Sequence, residues 1–210
     1  MAPTSDLEGC ADAHRRMAEV LGRLVADGVD PSAASALPGW TVGHVLTHLA
    51  RQADGVRAMA EGAAAGEERP MYASAEARDA DIDAGAGRPL VELVDDVRTA
   101  AVALDAAWAA LDETAWAGDG LTLRGPFPLG VMPSFRWREV EVHLTDLGLP
   151  QFTPADWSPA YVAWDTEARQ ATLVGRGDSI PPEVEAAEPS RRLAWLLGRP
   201  VDGLPEPLPF

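Results

Sequence analysis

The chain has no lysine, a single cysteine and no long apolar run. Its 210 residues include 17 basic side chains, all of them arginine, against 33 acidic ones. Without lysine, neither a Schiff base nor a lysine general base is available, so an anionic substrate group must be held by arginine, a metal ion or the backbone. Because Cys10 is the only cysteine, an intrachain disulfide and a multi-cysteine metal site are excluded.

The acidic balance restricts the partners of the protein. A formal net charge of −16 disfavours nucleic acids and anionic membrane surfaces. No apolar run reaches the roughly 18 residues that a transmembrane helix needs. Residues 1–8 are acidic and lack an apolar core, which argues against a signal peptide. We therefore expect a cytoplasmic globular protein, a monomer or a homodimer, that binds neither nucleic acid nor a membrane.

Helical periodicity predicts four main helices in the first part of the chain. They cover residues 6–27, 41–61, 89–111 and 131–147, and Thr41 is the expected N-cap of the second. Four helices joined up and down indicate a mainly α bundle, with metal ligands projecting into its core.

Two shorter segments connect these helices. A short helix is predicted over Ser74–Ala84 and carries Arg78. The glycines and prolines between Trp116 and Leu129 predict a long loop, in which Leu121–Arg124 is a candidate short strand.

Residues 150–210 are expected to form a small C-terminal region, distinct from a metal-binding helical domain over residues 1–149. Helices are predicted over residues 158–174 and 189–197, with little strand signal. The proline-rich last ten residues are expected to be extended.

Three residues form a candidate metal site. Glu139 and His143 are four residues apart in a predicted helix, so they share one face, within its buried arc. His48, beside the apolar stripe of the second helix, is the best candidate for a third ligand. Two histidines and one carboxylate with an open position are typical of a catalytic zinc or iron site. The spacing alone is also compatible with a buried Glu–His hydrogen bond or an exposed helix end.

Neighbouring polar residues have less specific interpretations. Glu141 is two residues from both Glu139 and His143, so it is predicted to point into solvent. His14 is predicted to lie on the surface of the first helix. Trp40 is expected to pack at the entry to the second helix. Cys10 is expected to have a structural or incidental role.

Two stretches resemble the signatures of the mycothiol-dependent maleylpyruvate isomerase family, which belongs to the DinB-like metal-binding four-helix bundles. They are Leu37–Ala50 (LPGWTVGHVLTHLA) and Arg138–Gly148 (REVEVHLTDLG), and Trp195–Arg199 is similar to the family's C-terminal ending. The resemblance covers residues 6–149 well, whereas the region after Pro150 looks abbreviated beside the family's C-terminal α/β unit.

The resemblance implies that His48, Glu139 and His143 hold zinc or another divalent metal, with mycothiol as a thiol cosubstrate. It also implies that Arg78 is a catalytic residue that binds a substrate carboxylate. Arg199 carries over to substrate binding from the Gly-Arg ending, although an arginine is also favourable at a helix C-terminus for its charge alone.

Three functions follow as hypotheses. The leading one is a metal-dependent cis–trans isomerase, in which mycothiol adds to the double bond of an unsaturated carboxylate, the bond rotates and the thiol is eliminated. The second is a transferase that conjugates mycothiol or bacillithiol to an electrophile. The third is a non-catalytic metal-binding or regulatory module.

Overall fold

A computed structural model describes residues 2–207 of the chain. These residues divide into two compact units, one up to Gln151 and one from Phe152 onward. The prediction of a mainly α protein is confirmed. In chain order the elements of the first unit are α1 (Thr4–Ala26), α2 (Val42–Ala65), α3 (Ala75–Ala86), α4 (Leu90–Ala109), α5 (Glu113–Trp116), β1 (Asp119–Thr122), β2 (Gly125–Pro128) and α6 (Met132–Asp146).

The four long helices α1, α2, α4 and α6 form the bundle of the first unit. Helix α1 packs against α4 and α6, and α2 packs against the same two helices. Their apolar stripes meet in a shared core, where each fully buried large side chain contributes about 1.5–3 kcal/mol relative to exposure. The core side chains include Met17, Leu21, Leu24, Val45, Leu46, Leu49, Val56, Leu93, Val97, Leu104, Val140 and Leu144.

The start of α2 is fixed by a capping box. The Thr41 hydroxyl accepts a hydrogen bond from the backbone N–H of His44, and the His44 ring accepts one from the backbone N–H of Thr41. These bonds satisfy donors that the first turn of a helix leaves free. The prediction of Thr41 as N-cap is confirmed. Trp40, just before the cap, lies half-buried with its ring 5.6 Å from that of His48.

Helix α3 packs closely against α2 and carries Arg78. A Cβ atom on Gly43 would lie 2.1 Å from the carbonyl oxygen of Ala86. Glycine is therefore required where the end of α3 meets the first turn of α2. The side chain of Ser74 caps the N-terminus of α3 by accepting a hydrogen bond from Ala77.

Most of the predicted loop before α6 is an antiparallel hairpin. Strands β1 and β2 pair from Asp119 opposite Pro128 to Thr122 opposite Gly125. Gly125 has φ of 105°, a conformation that residues with a side chain rarely adopt, and this permits the tight connection. The backbone N–H of Met71 donates to Leu121, so the segment after α2 is joined to the hairpin. The candidate strand over Leu121–Arg124 was therefore placed two residues too late.

The second unit contains α7 (Pro159–Arg176), α8 (Pro182–Glu185) and α9 (Pro189–Leu196). Helices α7 and α9 pack together over a small core of Leu173, Val184, Trp195 and Leu196. No strand occurs in its described residues, 152–207. Residues 201–207 lack helix and strand, and the rest of the predicted extended end lies outside the described residues.

None of the helices in the described range is both long enough and apolar enough to cross a membrane.

Candidate functional site

The three candidate metal ligands come together between α2 and α6. His48 projects from α2, and Glu139 and His143 project from successive turns of α6. The Nε2 atoms of His48 and His143 lie 3.0 and 3.4 Å from Oε2 of Glu139. One ligand atom from each residue falls within 4.8 Å of the others. The sequence spacing therefore corresponds to a real cluster.

The charges of this cluster depend on one another. Burial opposes ionisation of Glu139, but hydrogen bonds with His143 and His48 outweigh it and hold the pKa of that carboxyl well below its usual value. Burial lowers the pKa of His48, which favours a neutral imidazole. Burial also opposes protonation of His143, but its bonds to Asp146 and Glu139 raise the pKa to about 9.

Asp146 bonds to the ring nitrogen of His143 that is farther from Glu139. Its Oδ2 lies 2.9 Å from Nδ1 of His143, and the side chain is only 2% exposed. A carboxylate on one ring nitrogen of a histidine fixes the ring orientation and makes the other nitrogen a better metal ligand. The Nε2 of His143 is the atom that faces Glu139.

The donor set suits a divalent transition metal. Two imidazole nitrogens and one carboxylate oxygen are the ligand types that zinc and non-haem iron take in sites with an open coordination position. A simple Glu–His hydrogen bond needs neither a second histidine nor a buried carboxylate that orients one of the rings, and this cluster has both. The residues present therefore fit a metal ion.

A cavity of about 350 Å³ opens beside the cluster. His48 and Glu139 line it, and the β1–β2 hairpin, α3, α6 and the segment after α2 supply its other walls. The rings of Phe127 and Phe135 meet edge to face, with their centroids 4.9 Å apart. The remaining lining residues are Gln52, Met71, Tyr72, Arg78, Thr122, Leu123, Arg124 and Met132.

Two arginines line this cavity. Arg78 lies beside the cluster, with Nη2 3.2 Å from Nδ1 of His48 and Nη1 2.6 Å from Asp79. Arg124 occupies the exposed tip of the hairpin, and within residues 2–207 its guanidinium has no partner. Tyr72 packs under Arg78, and burial raises the pKa of its phenol to about 12, so the hydroxyl stays protonated.

Comparison with known proteins establishes the family. Residues 10–148 match the family model described as mycothiol maleylpyruvate isomerase N-terminal domain. The chain belongs to this family. The match covers most of α1, all of α2, α4 and α6, and the whole candidate site. No curated protein matches the chain.

Two solved structures share the fold of this family member. They are a crystal structure of the mycothiol-dependent maleylpyruvate isomerase and one of its histidine-to-alanine mutants. Each superposes with a TM-score of 0.83 at 24% sequence identity, over 99% of this chain and 97% of the other. At this identity the likeness shows the fold. Since the match spans nearly all of both chains, the C-terminal region is not abbreviated relative to these structures.

Two predictions about polar residues were wrong. Glu141 is fully buried rather than solvated, and its carboxylate pairs with Arg16 and accepts from the Trp137 indole. His14 is 7% exposed rather than on the surface, and it bonds to Asp105 and Arg136. Both helices have polar side chains on faces that pack against other helices, where a periodicity argument expects solvent.

Arg199 lies just after α9 in the second unit. Its Nη1 donates to the carbonyl of Leu197, 2.7 Å away. This contact is the kind that a basic side chain makes at a helix C-terminus. Substrate binding by Arg199 stays a prediction.

Four residues near the cluster or the cavity were not predicted from the sequence: Asp146, Gln52, Tyr72 and Arg124. A signal existed for two of them, because Asp146 is one turn from His143 and Gln52 is one turn from His48. Tyr72 and Arg124 lie in segments without periodicity, and only the packing of the hairpin brings them to the cavity.

Proposed function

We propose that this chain is a metal- and mycothiol-dependent cis–trans isomerase of the maleylpyruvate isomerase type. The observation that carries the proposal is that a cluster of two histidines and a carboxylate opens onto a cavity lined by Arg78. Membership of the family supports it. The isomerase named in the similar crystal structures has the same fold.

In this proposal His48, Glu139 and His143 hold a divalent ion, with zinc the first candidate. Such an ion supplies Lewis acidity and lowers the pKa of a thiol bound to it. The chain contributes the geometry of the ligands. Asp146 orients His143, and α2 and α6 are held in place by the bundle core.

The chain itself offers no nucleophilic thiol at the site. Cys10 is 0% exposed, and its burial raises the thiol pKa above the ordinary value. A thiol cosubstrate is therefore needed for addition chemistry. The thiolate sulfur forms a bond to one alkene carbon, and the alkene electron pair moves to the conjugated carbonyl oxygen. Rotation about the resulting single bond, return of the electron pair and loss of the thiolate give the trans isomer.

The cavity walls suit an unsaturated carboxylate. Arg78 is positioned to bind a substrate carboxylate, which would replace the exposed Asp79 as its partner. Arg124 is positioned to attract a second anionic group from the hairpin tip. The protonated phenol of Tyr72 is a further hydrogen-bond donor, and Phe127 and Phe135 exclude water from the apolar part of the substrate.

The proposal is tested with the tag-free full chain. Metal content is measured by elemental analysis of the wild type and of His48→Ala, Glu139→Ala and His143→Ala. We expect one equivalent of metal in the wild type and its loss in the variants. Isomerisation of maleylpyruvate is then followed by absorbance with and without mycothiol, and after treatment with a chelator. Activity should require both the metal and the thiol.

The other functions give different outcomes. An isomerase returns the thiol unchanged, so a trace of mycothiol supports many turnovers. A transferase consumes one thiol for each electrophile and gives a conjugate that mass spectrometry detects. Bound metal without turnover of either kind would leave a metal-binding or regulatory module. A wild type that binds no metal after reconstitution would contradict the proposal.

A further inference from the structure

We infer that Gln52 is a substrate-binding residue of the candidate site. Its amide NH₂ group is placed to donate a hydrogen bond to a carbonyl or carboxylate oxygen in the cavity. Gln52 follows His48 by one turn of α2, and both side chains line the cavity. The inference rests on the proposed function, because it adds a contact within the same site.

Arg136 fixes the orientation of the Gln52 amide. Its Nη1 donates to Oε1 of Gln52 at 2.7 Å and to the backbone carbonyl of Leu49 at 2.9 Å. A guanidinium group has only donors, so the amide atom that faces it must be the oxygen. The amide therefore cannot flip without losing this bond, and its nitrogen must take the opposite position.

The amide nitrogen of Gln52 is available to donate a hydrogen bond to a ligand. Among residues 2–207 it has no hydrogen-bond partner, although the side chain is only 5% exposed. It is also not sealed in the core, in contrast to Nη2 of Arg136, which is fully buried without a partner. Because Gln52 lines the cavity, an oxygen atom of a bound substrate can satisfy this donor.

Arg136 is itself held by a chain of hydrogen bonds. It is 0% exposed, and its Nε donates to Nε2 of His14 at 3.0 Å. Since that ring nitrogen accepts, the His14 proton is on Nδ1, which donates to Asp105 at 3.0 Å. Asp105, His14, Arg136 and Gln52 belong to α4, α1, α6 and α2 in turn. Every helix of the bundle thus contributes to holding one cavity donor in place.

The alternative is that Gln52 only satisfies Arg136 and never contacts substrate. The variant Gln52→Glu separates the two roles. It keeps an oxygen facing Arg136, replaces the cavity donor with a second oxygen and adds one negative charge. Gln151→Glu is the matched control, because it makes the same chemical change at a glutamine that bonds to Asp27 and does not line the cavity.

Binding is measured by calorimetry with maleylpyruvate and the metal-loaded full chain, without thiol. We expect Gln52→Glu to raise the Kd about 10- to 150-fold, the range for losing a hydrogen bond to a charged group. Metal content should match the wild type, and Gln151→Glu should bind normally. In the presence of mycothiol, KM should rise more than kcat falls, which a purely structural role would not produce.

A second measurement uses the wild type and so does not depend on a variant that folds. The chain has no asparagine and three glutamines, so its side-chain amide NH₂ groups give three pairs of signals in a ¹⁵N correlation spectrum. Saturating maleylpyruvate should shift the Gln52 pair and leave those of Gln151 and Gln170 in place. Assignment follows from Gln151→Glu and Gln170→Glu.

The outcomes separate this inference from the proposed function. If the wild type binds and isomerises maleylpyruvate, but the Gln52 signals do not move and Gln52→Glu binds within twofold of wild type, the inference is wrong and the function stands. If the wild type neither binds nor isomerises maleylpyruvate, the proposed function fails and the inference fails with it.

Discussion

Replacing Asp146 should weaken metal binding without removing a ligand. The Asp146 carboxylate accepts from Nδ1 of His143 at 2.9 Å and is 2% exposed. Hydrogen bonds to charged groups contribute about 1.5–3 kcal/mol. If this hydrogen bond stabilises only the metal-bound state, its loss should lower the metal affinity about 10- to 150-fold. Substitutions of such supporting carboxylates typically reduce metal affinity about 10- to 100-fold.

The size of the effect should depend on the substitution. Asp146→Asn removes the negative charge, but the new amide oxygen can still accept from His143, so we expect a loss near tenfold. Asp146→Ala removes the acceptor and leaves the imidazole free to rotate, so we expect a loss near 100-fold. Zinc affinity is measured by competition with a chromophoric chelator at fixed pH, and the fold is checked by circular dichroism.

Asp105→Asn is the matched control for this experiment. Asp105 accepts from Nδ1 of His14 in the same way, but that histidine is not part of the cluster. The control should lose stability and keep its zinc affinity. If Asp146→Ala binds zinc as tightly as the wild type, His143 does not bind the metal through Nε2 in the orientation described, and the ligand set is wrong.

Three further predictions concern packing, the cavity rim and pH. Gly43→Ala should destabilise the protein by about 2–3 kcal/mol in urea unfolding, because the new methyl group overlaps a backbone carbonyl of α3, whereas Gly87→Ala, with no atom within 4 Å, should be close to neutral. Arg124→Gln should raise KM for maleylpyruvate about two- to fivefold in steady-state assays and leave kcat unchanged, because an exposed ion pair contributes about 1 kcal/mol or less. Burial lowers the pKa of His14 in the folded state, so the unfolded chain takes up this proton more readily. The His14 contribution to the free energy of unfolding should therefore be complete above about pH 6.5 and should be lost as the pH drops below it. The free energy of unfolding should depend less steeply on pH in His14→Gln.

The sequence was sufficient for the helices of the bundle and for the three clustered residues. Apolar stripes place a helix wherever one face meets a core, and α1, α2, α4 and α6 all have such a face. Glu139 and His143 could be paired because a helix fixes the relative position of residues four apart. Bringing His48 to them needed a contact across 91 residues, and for this the resemblance to a family was more informative than periodicity.

The hairpin was difficult to predict for a physical reason. Its strands are four residues each and contain two glycines and two prolines, which normally disfavour strands. Much of its support is tertiary, since Leu121 accepts from Met71 and Gly120 packs against Met59. Local composition does not encode these contacts. The cavity wall formed by the hairpin, and the position of Arg124 on it, could therefore not be predicted from the sequence.

The error at Glu141 shows what periodicity assumes about a helix in a bundle. A helical wheel assigns polar residues to a solvent face, but α6 packs on α1 on one side and on α2 on another. Arg136 and Glu141, about 140° apart around α6, are therefore both buried. Each charge needs a partner from another helix, His14 for the first and Arg16 for the second. A buried polar residue on such a helix therefore belongs either to a functional site or to a helix–helix contact. Arg136 belongs to both, because the hydrogen bonds that offset the cost of burying its charge also set the orientation of Gln52 at the cavity.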